Sequence, residues 1–340
     1  MNERIYYIDI LKFLAIFGVI FIHICGFTGH SEIMHYQIKY LSQIFHFAVP
    51  IFLMITGTLL LNRNITIKAF VKKRFARIIY PYIFWIILAI IMFLYVSNSY
   101  LQDYPMIIID KFFTMSWNWY FWMMVGVYLA IPVINDFILN RGDEGCKYFV
   151  VLMIFASIYY SITGISAYTT GLDLRFFILP IAYVVLGYFL SSYDFKIAKN
   201  RIVLISLMLF LLATGLKLMF PEFTVYFTND VIFLNSGLNI NFLGIMQASA
   251  IFLLIKNLNH LNNSYIKSFV ISVSKSSYGM YLSHIILLIP LSQIFRLIST
   301  TGSQTLFLVI FFSVLIFLIT WIAVLTVDRI PKLHRFSGYL

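Results

Sequence analysis

The chain has 340 residues, of which 61% are hydrophobic and only 11% charged, and its mean hydropathy is +0.92. These values exclude a soluble domain of this length and identify an integral membrane protein. The formal net charge of +11 does not call for a nucleic-acid partner, because the basic residues fall in loops between apolar stretches, where they hold those loops in the cytoplasm.

Ten apolar spans are predicted, at about 8–28, 44–62, 78–97, 117–135, 148–167, 175–191, 202–220, 238–256, 274–295 and 305–327, each near the ~20 residues a bilayer requires. The fold class is therefore all-α: a polytopic membrane protein of about ten transmembrane helices, read as one domain over 1–340 and surrounded by membrane lipids. No small-residue cleavage site follows the first span, so an uncleaved helix is expected there.

The first span is the most informative. Ile8 to Cys25 is apolar apart from Asp9, Lys12 and His23. Ionisable groups at membrane depth are costly and face the protein interior or a wet cavity. Eleven residues at ~100° bring Lys12 and His23 within ~20° of one face, and Asp9 lies on nearly the same stripe. The ~16 Å rise between Lys12 and His23 rules out a direct hydrogen bond. The pair reads as the two ends of one site: a cation near the membrane surface and an imidazole deep in the layer. Burial favours the neutral imidazole, which can accept a proton as a general base requires. The plainer alternative, a packing histidine, carries less weight in a bilayer.

Further along, His30 and His35 fall in a short outer loop, and His46 is expected at the interface. Arg63 to Arg77 is a basic cytoplasmic segment. Most of its charge serves topology, but Arg74 and Arg77 are three residues apart and could clamp a phosphate together. The run Trp117-Asn118-Trp119-Tyr120-Phe121-Trp122 reads as an interfacial aromatic belt rather than a sugar platform. Cys146 is expected in a cytoplasmic loop, and with Cys25 inside a span the two cysteines form no disulfide framework. Gly164, Gly171 and Pro180 interrupt the fifth and sixth spans. Lys217 lies within the seventh. In the ninth, Ser277, Tyr281 and His284 recur at intervals of four and three and line one face. Inter-helix hydrogen bonding accounts for the Ser and Tyr, whereas His284 points more to function.

Most lysines and arginines fall on one side of the drawn spans, with only Lys39, Lys111, Arg175 and Arg296 on the other. That bias places both termini in the cytoplasm. No phosphate-binding glycine loop, metal-spaced His/Cys cluster or Gly-x-Ser-x-Gly elbow is present in the sequence, so ATP-driven transport and serine-hydrolase chemistry find no support.

Four stretches resemble the acyltransferase-3 family of bacterial membrane acyltransferases. Asp9-Ile10-Leu11-Lys12 with His23 resembles its basic-x10-His pattern. Val49-Pro50-Ile51-Phe52-Leu53-Met54-Ile55-Thr56-Gly57-Thr58-Leu59-Leu60 is similar to its V-P-x-F-F-M-x-S-G-Y-L-L stretch. Lys73-Arg74-Phe75-Ala76-Arg77-Ile78-Ile79-Tyr80-Pro81 resembles K-R-x-x-R-I-x-x-P, and Ser277 to His284 resembles S-Y-x-x-Y-L-x-H. The segments Trp119-Tyr120-Phe121 to Pro132 and Leu186 to Leu190 also fit. Thr56 stands where the family usually has Ser, Lys12 where Arg is common, and Asn118 where many members have His. Lys12 keeps the charge but loses the bidentate fork.

The resemblance implies transfer of an acyl group, commonly acetyl, from cytoplasmic acyl-CoA to a surface glycan or its lipid-linked precursor, in the plasma membrane of a bacterium. It implies His23 as catalytic base, with His284, Tyr281 and Thr56 as candidate oxyanion donors, and Arg74, Arg77 and Lys12 as contacts to the coenzyme's phosphates. Acetyl-CoA would be a co-substrate, and no metal is expected. No appended soluble domain is expected. Whether the histidine itself carries the acyl group, and the oligomeric state, are left open. The rival reading is a polysaccharide exporter or carrier without catalytic activity.

Overall fold

The structure, a computed structural model, describes residues 4–27, 40–64, 66–97, 104–114, 118–163, 174–219, 242–258, 263–297 and 302–340. His30, His35, Lys39, Trp117, Gly164 and Gly171 lie outside the described residues. Among the described residues there is no strand, in keeping with an all-α chain.

In chain order the helices are α1 (Tyr6–Phe27), a 3₁₀ turn (Ser42–Phe45) running into α2 (Ala48–Leu60), α3 (Ile67–Ser97), α4 (Tyr104–Thr114), α5 (Trp119–Thr163), α6 (Pro180–Ser192), α7 (Lys199–Met219), α8 (Phe242–Asn257), α9 (Ser264–Leu297) and α10 (Gly302–Arg329). Six stretches, on α1, α2 with its 3₁₀ lead-in, α3, α5, α7 and α10, are long and apolar enough to cross a membrane, and two shorter apolar helices are α6 and α8. The chain is thus a multi-pass membrane protein. With 31 residues, α3 is ~46 Å long and exceeds the ~30 Å hydrocarbon layer, so its basic first turns project beyond the apolar part.

The fourth and fifth predicted spans are two helices that meet at Gly142 (φ 55°, ψ −140°) within α5. Two sequence expectations are revised locally. The loop expected around Cys146 shrinks to that break, and Cys146 is helical and 1% exposed. Pro180 does not interrupt a span but opens α6, where its missing N–H costs nothing.

The chain divides into two compact units. The first comprises Met1–Ala15, Gln43–Thr66 and Leu129–Lys267. Within it α7 packs along α8, and α2 along α6. The α2–α6 contact is backbone to backbone. A Cβ on Gly187 would overlap the main chain of Met54, one on Gly57 would overlap Val184, and Thr58 Oγ1 donates to the Gly187 carbonyl at 3.2 Å. Small residues that let helices approach closely are the usual means of association in lipid, where apolar burial alone does not drive it. Asn135 grips the end of α2, accepting from the Arg63 N–H (3.1 Å) and donating to its carbonyl (2.8 Å). Lys256 Nζ donates to the Leu190 and Ser191 carbonyls, satisfying the open end of α6.

The second unit comprises Ile16–Ser42, Ile67–Tyr128 and Ser268–Leu340. Its helices are joined by Phe17 against Phe317 (5.8 Å between ring centroids) and by Trp321 Nε1 donating to Ser272 Oγ (3.1 Å). After α10 the chain turns through a 3₁₀ segment (His334–Phe336) and lies against α3 and α9. Trp85 Nε1 donates to the Ser337 carbonyl (3.1 Å), the Gly279 N–H to Gly338 (3.3 Å), and the Leu340 N–H to Lys275 (2.8 Å).

Candidate active site

The second unit gathers most of the residues singled out in the sequence. His23 lies on the part of α1 that belongs to this unit and His284 on α9; His284 Nε2 and His23 Nδ1 are 3.0 Å apart, with the rings stacked at 5.0 Å and 29°. They are 261 residues apart in sequence, and only tertiary packing joins the two stripes. His284 is fully buried, whereas His23 is partly exposed. The second nitrogen of His284, Nδ1, bonds the carbonyl of Tyr281 one turn back. The Tyr281 ring packs edge-on against Tyr120 at 4.8 Å and tilts against His284 at 5.6 Å.

Both nitrogens of His284 are therefore occupied, which leaves neither aimed at an oxyanion. Thr56, in the first unit, donates from Oγ1 to the Phe52 carbonyl of its own helix (2.8 Å). Ser277 Oγ does the same to Ser274 (2.8 Å). Tyr281 is 5% exposed and contributes its carbonyl to the histidine pair.

Arg74 and Arg77 lie in the first turns of α3, the former half-buried and the latter exposed, and both interact electrostatically with Tyr128. Among the described residues no carboxylate forms an ion pair with either. α3 and α9 are tied immediately beyond them, where Tyr278 Oη donates to the Ile78 carbonyl (2.9 Å). From Tyr278 to His284 is six residues of helix, a rise of ~9 Å. The arginine pair and His284 thus lie on two connected helices, α3 and α9, and the His23 that meets His284 belongs to the same unit.

Lys12 falls in the first unit, half-exposed on the same unbroken helix as His23. Asp9, expected on a stripe with Lys12, takes Arg4 in a bidentate ion pair, with both bonds at 2.7 Å. The fork of the guanidinium matches both carboxylate oxygens, which an ammonium cannot do.

Sequence reasoning missed three features. Tyr120 and Phe121 were expected in an interfacial belt, yet they are 7% and 4% exposed; among the described residues of that run Trp122 is the outward one, at 38%. Asn118, at the departure from the family pattern, is buried and donates from Nδ2 to the carbonyls of Lys111 and Phe112 (3.2 Å each), fastening the end of α4 to the start of α5. In the first unit, Lys217 is fully buried and donates to Gln247 Oε1 (2.8 Å), while Gln247 Nε2 reaches Thr214 Oγ1 (2.8 Å) and the Gln43 carbonyl (3.1 Å). His46, expected at the interface, is half-buried and interacts electrostatically with Lys217. A lysine in the middle of an apolar span was the available signal for this network.

Comparison with known proteins gives one positive result. The family model described as an acyltransferase domain, that of the acyltransferase-3 family, matches residues 5–326 and so runs through both units. No curated protein and no solved structure matches the chain. With nearly the whole sequence covered, the chain belongs to the acyltransferase-3 family of membrane acyltransferases.

Proposed function

We propose that this acyltransferase moves an acyl group, acetyl in the simplest case, from cytoplasmic acyl-CoA to a hydroxyl of an extracytoplasmic surface polysaccharide or its lipid-linked precursor, with His23 as general base. The observation that carries this reading is the contact at 3.0 Å between His23, a half-buried residue, and the fully buried His284, in a chain of an acyltransferase family. A base must be reachable by the proton it takes and held by groups that are not.

In this reading the chain spans a bacterial plasma membrane ten times with both termini in the cytoplasm. The projecting start of α3 then faces the cytoplasm, and Arg74 and Arg77, without acidic partners among the described residues, take the coenzyme's phosphates. The pantetheine arm follows α3 and α9 inward over the ~9 Å that separate the level of Ile78 from His284. His23 removes the proton of the acceptor hydroxyl. The oxygen adds to the thioester carbonyl carbon, and collapse of the tetrahedral species breaks the C–S bond. The coenzyme thiolate then takes the proton back from the imidazolium. The O-acyl product and free CoA leave, and the base is restored.

The test is acetyl-CoA labelled in its acetyl group, supplied to membranes that carry the protein and to membranes that lack it. An enzyme releases free CoA thiol and places label on the glycan in equal amounts. Thiol release no greater than in membranes without the protein would give first place to the carrier reading.

A further inference from the structure

We infer that His284 is a positioning residue that fixes the tautomer of His23, so that Nε2 of His23, and not Nδ1, is the basic nitrogen. The inference rests on the reading of His23 as general base and deepens it. A carbonyl oxygen can only accept. The bond between His284 Nδ1 and the Tyr281 carbonyl therefore places a hydrogen on His284 Nδ1. A neutral His284 then presents a lone pair at Nε2. That lone pair faces His23 Nδ1 at 3.0 Å, so His23 Nδ1 must carry the hydrogen of their shared bond.

The bond to His284 thus assigns the hydrogen of neutral His23 to Nδ1 and leaves the lone pair at Nε2.

The chain of donors has a fixed direction: His23 Nδ1–H to His284 Nε2, and His284 Nδ1–H to the Tyr281 carbonyl. When His23 Nε2 takes the hydroxyl proton, the resulting imidazolium has its Nδ1–H already bonded to a lone pair. No group has to turn at the moment of transfer. His284 does for the base what a third group does in any nucleophile–base–orienter arrangement, without touching substrate. Its complete burial and two committed nitrogens suit that task and no other in the reaction.

The experiment uses the full chain with two substitutions at the same place. His284→Leu fills the volume but offers no acceptor. His284→Gln sets an amide oxygen near the position of Nε2 and can still accept from His23 Nδ1–H. Turnover is read as thiol release from acetyl-CoA in membranes of the expressing cell, with His23→Ala setting the background, and the tautomer is read by ¹⁵N NMR of histidine-labelled protein, the His23 signal being assigned by its loss in His23→Ala. We expect His284→Leu to lower kcat by about 10²–10⁴-fold, the range associated with a lost or mis-set base, with KM for acetyl-CoA nearly unchanged, and to shift His23 away from the Nδ1–H form. His284→Gln should keep that form and recover at least tenfold over His284→Leu.

A His23 signal that is Nε2–H in the wild-type protein overturns the inference outright. So does His284→Leu turning over at the wild-type rate while His23→Ala stays inactive, and in both cases the catalytic reading survives. Wild-type turnover in His23→Ala would sink that reading itself, and His284 with it. Equal loss in His284→Leu and His284→Gln, with the His23 tautomer unchanged in both, would show that His284 merely fills space.

Discussion

Gly279 on α9 has no room for a side chain, and the cost of adding one can be worked out. A Cβ there would overlap the Ser337 carbonyl and press on Val324. In Gly279→Ala the segment after α10 must move off α9. It then loses the bonds Gly279 N–H to Gly338 (3.3 Å), Leu340 N–H to Lys275 (2.8 Å) and Trp85 Nε1–H to Ser337 (3.1 Å). At about 1 kcal/mol net for each bond the loss is about 3 kcal/mol, and the better helix propensity of Ala returns about 1. The expected net destabilisation is about 2 kcal/mol. Gly126→Ala is the matched control, because no atom lies within 4 Å of a Cβ built there; it should be neutral or slightly stabilising. The assay is thermal unfolding in detergent, together with carboxypeptidase digestion followed by mass spectrometry. In Gly279→Ala the last residues should be trimmed faster. In a chain lacking residues 334–340 most of the cost of Gly279→Ala should vanish, because the two changes remove the same contacts. Equal unfolding midpoints for Gly279→Ala and Gly126→Ala, with no faster trimming, would refute the reasoning.

Three other outcomes follow from the same geometry. Arg74→Ala and Arg77→Ala should each weaken acetyl-CoA binding by on the order of 1.5–3 kcal/mol, about 10- to 150-fold in Kd, as measured by titration of purified protein; unchanged affinity in both would reduce them to topology signals. Gln247→Leu removes the acceptor of the buried Lys217 amine and should lower stability by about 1–3 kcal/mol in thermal unfolding, and adding Lys217→Met should recover part of that loss; no recovery would mean that the lysine is satisfied in another way. A single cysteine at position 68 should resist an impermeant thiol reagent in intact cells and react after lysis, and labelling without lysis would invert the proposed orientation.

The chemistry along each helix was legible in the sequence, whereas the pairings between helices were not. A helical repeat alone put Ser277, Tyr281 and His284 on one face and gave His23 a place in an apolar span. Nothing in a one-dimensional pattern could bring His23 and His284, on different helices, to hydrogen-bonding distance. Asp9 was set beside Lys12 by spacing, but the spacing of a helix says nothing of Arg4, which lies before the helix and forks onto both oxygens of Asp9. The run from Trp117 to Trp122 was read by composition as a belt, and composition cannot separate Trp122, which faces outward, from Tyr120 and Phe121, which do not. Pro180 reads as an interruption because it disfavours a helix interior, yet it begins α6. The role of Gly187, which admits the backbone of α2, depends on a pairing that no single segment shows.

The most direct measurement is acyl transfer by His23→Ala. The variant is expressed in the native membrane, its amount and its acetyl-CoA affinity are matched to wild type, and acylation of the surface glycan is followed with labelled acetyl-CoA. The account expects acetyl-CoA to bind normally, because its phosphates are held by Arg74 and Arg77 on another helix, and expects transfer to fall by at least ~10²–10⁴-fold. Normal acylation by a folded, coenzyme-binding His23→Ala protein would contradict it.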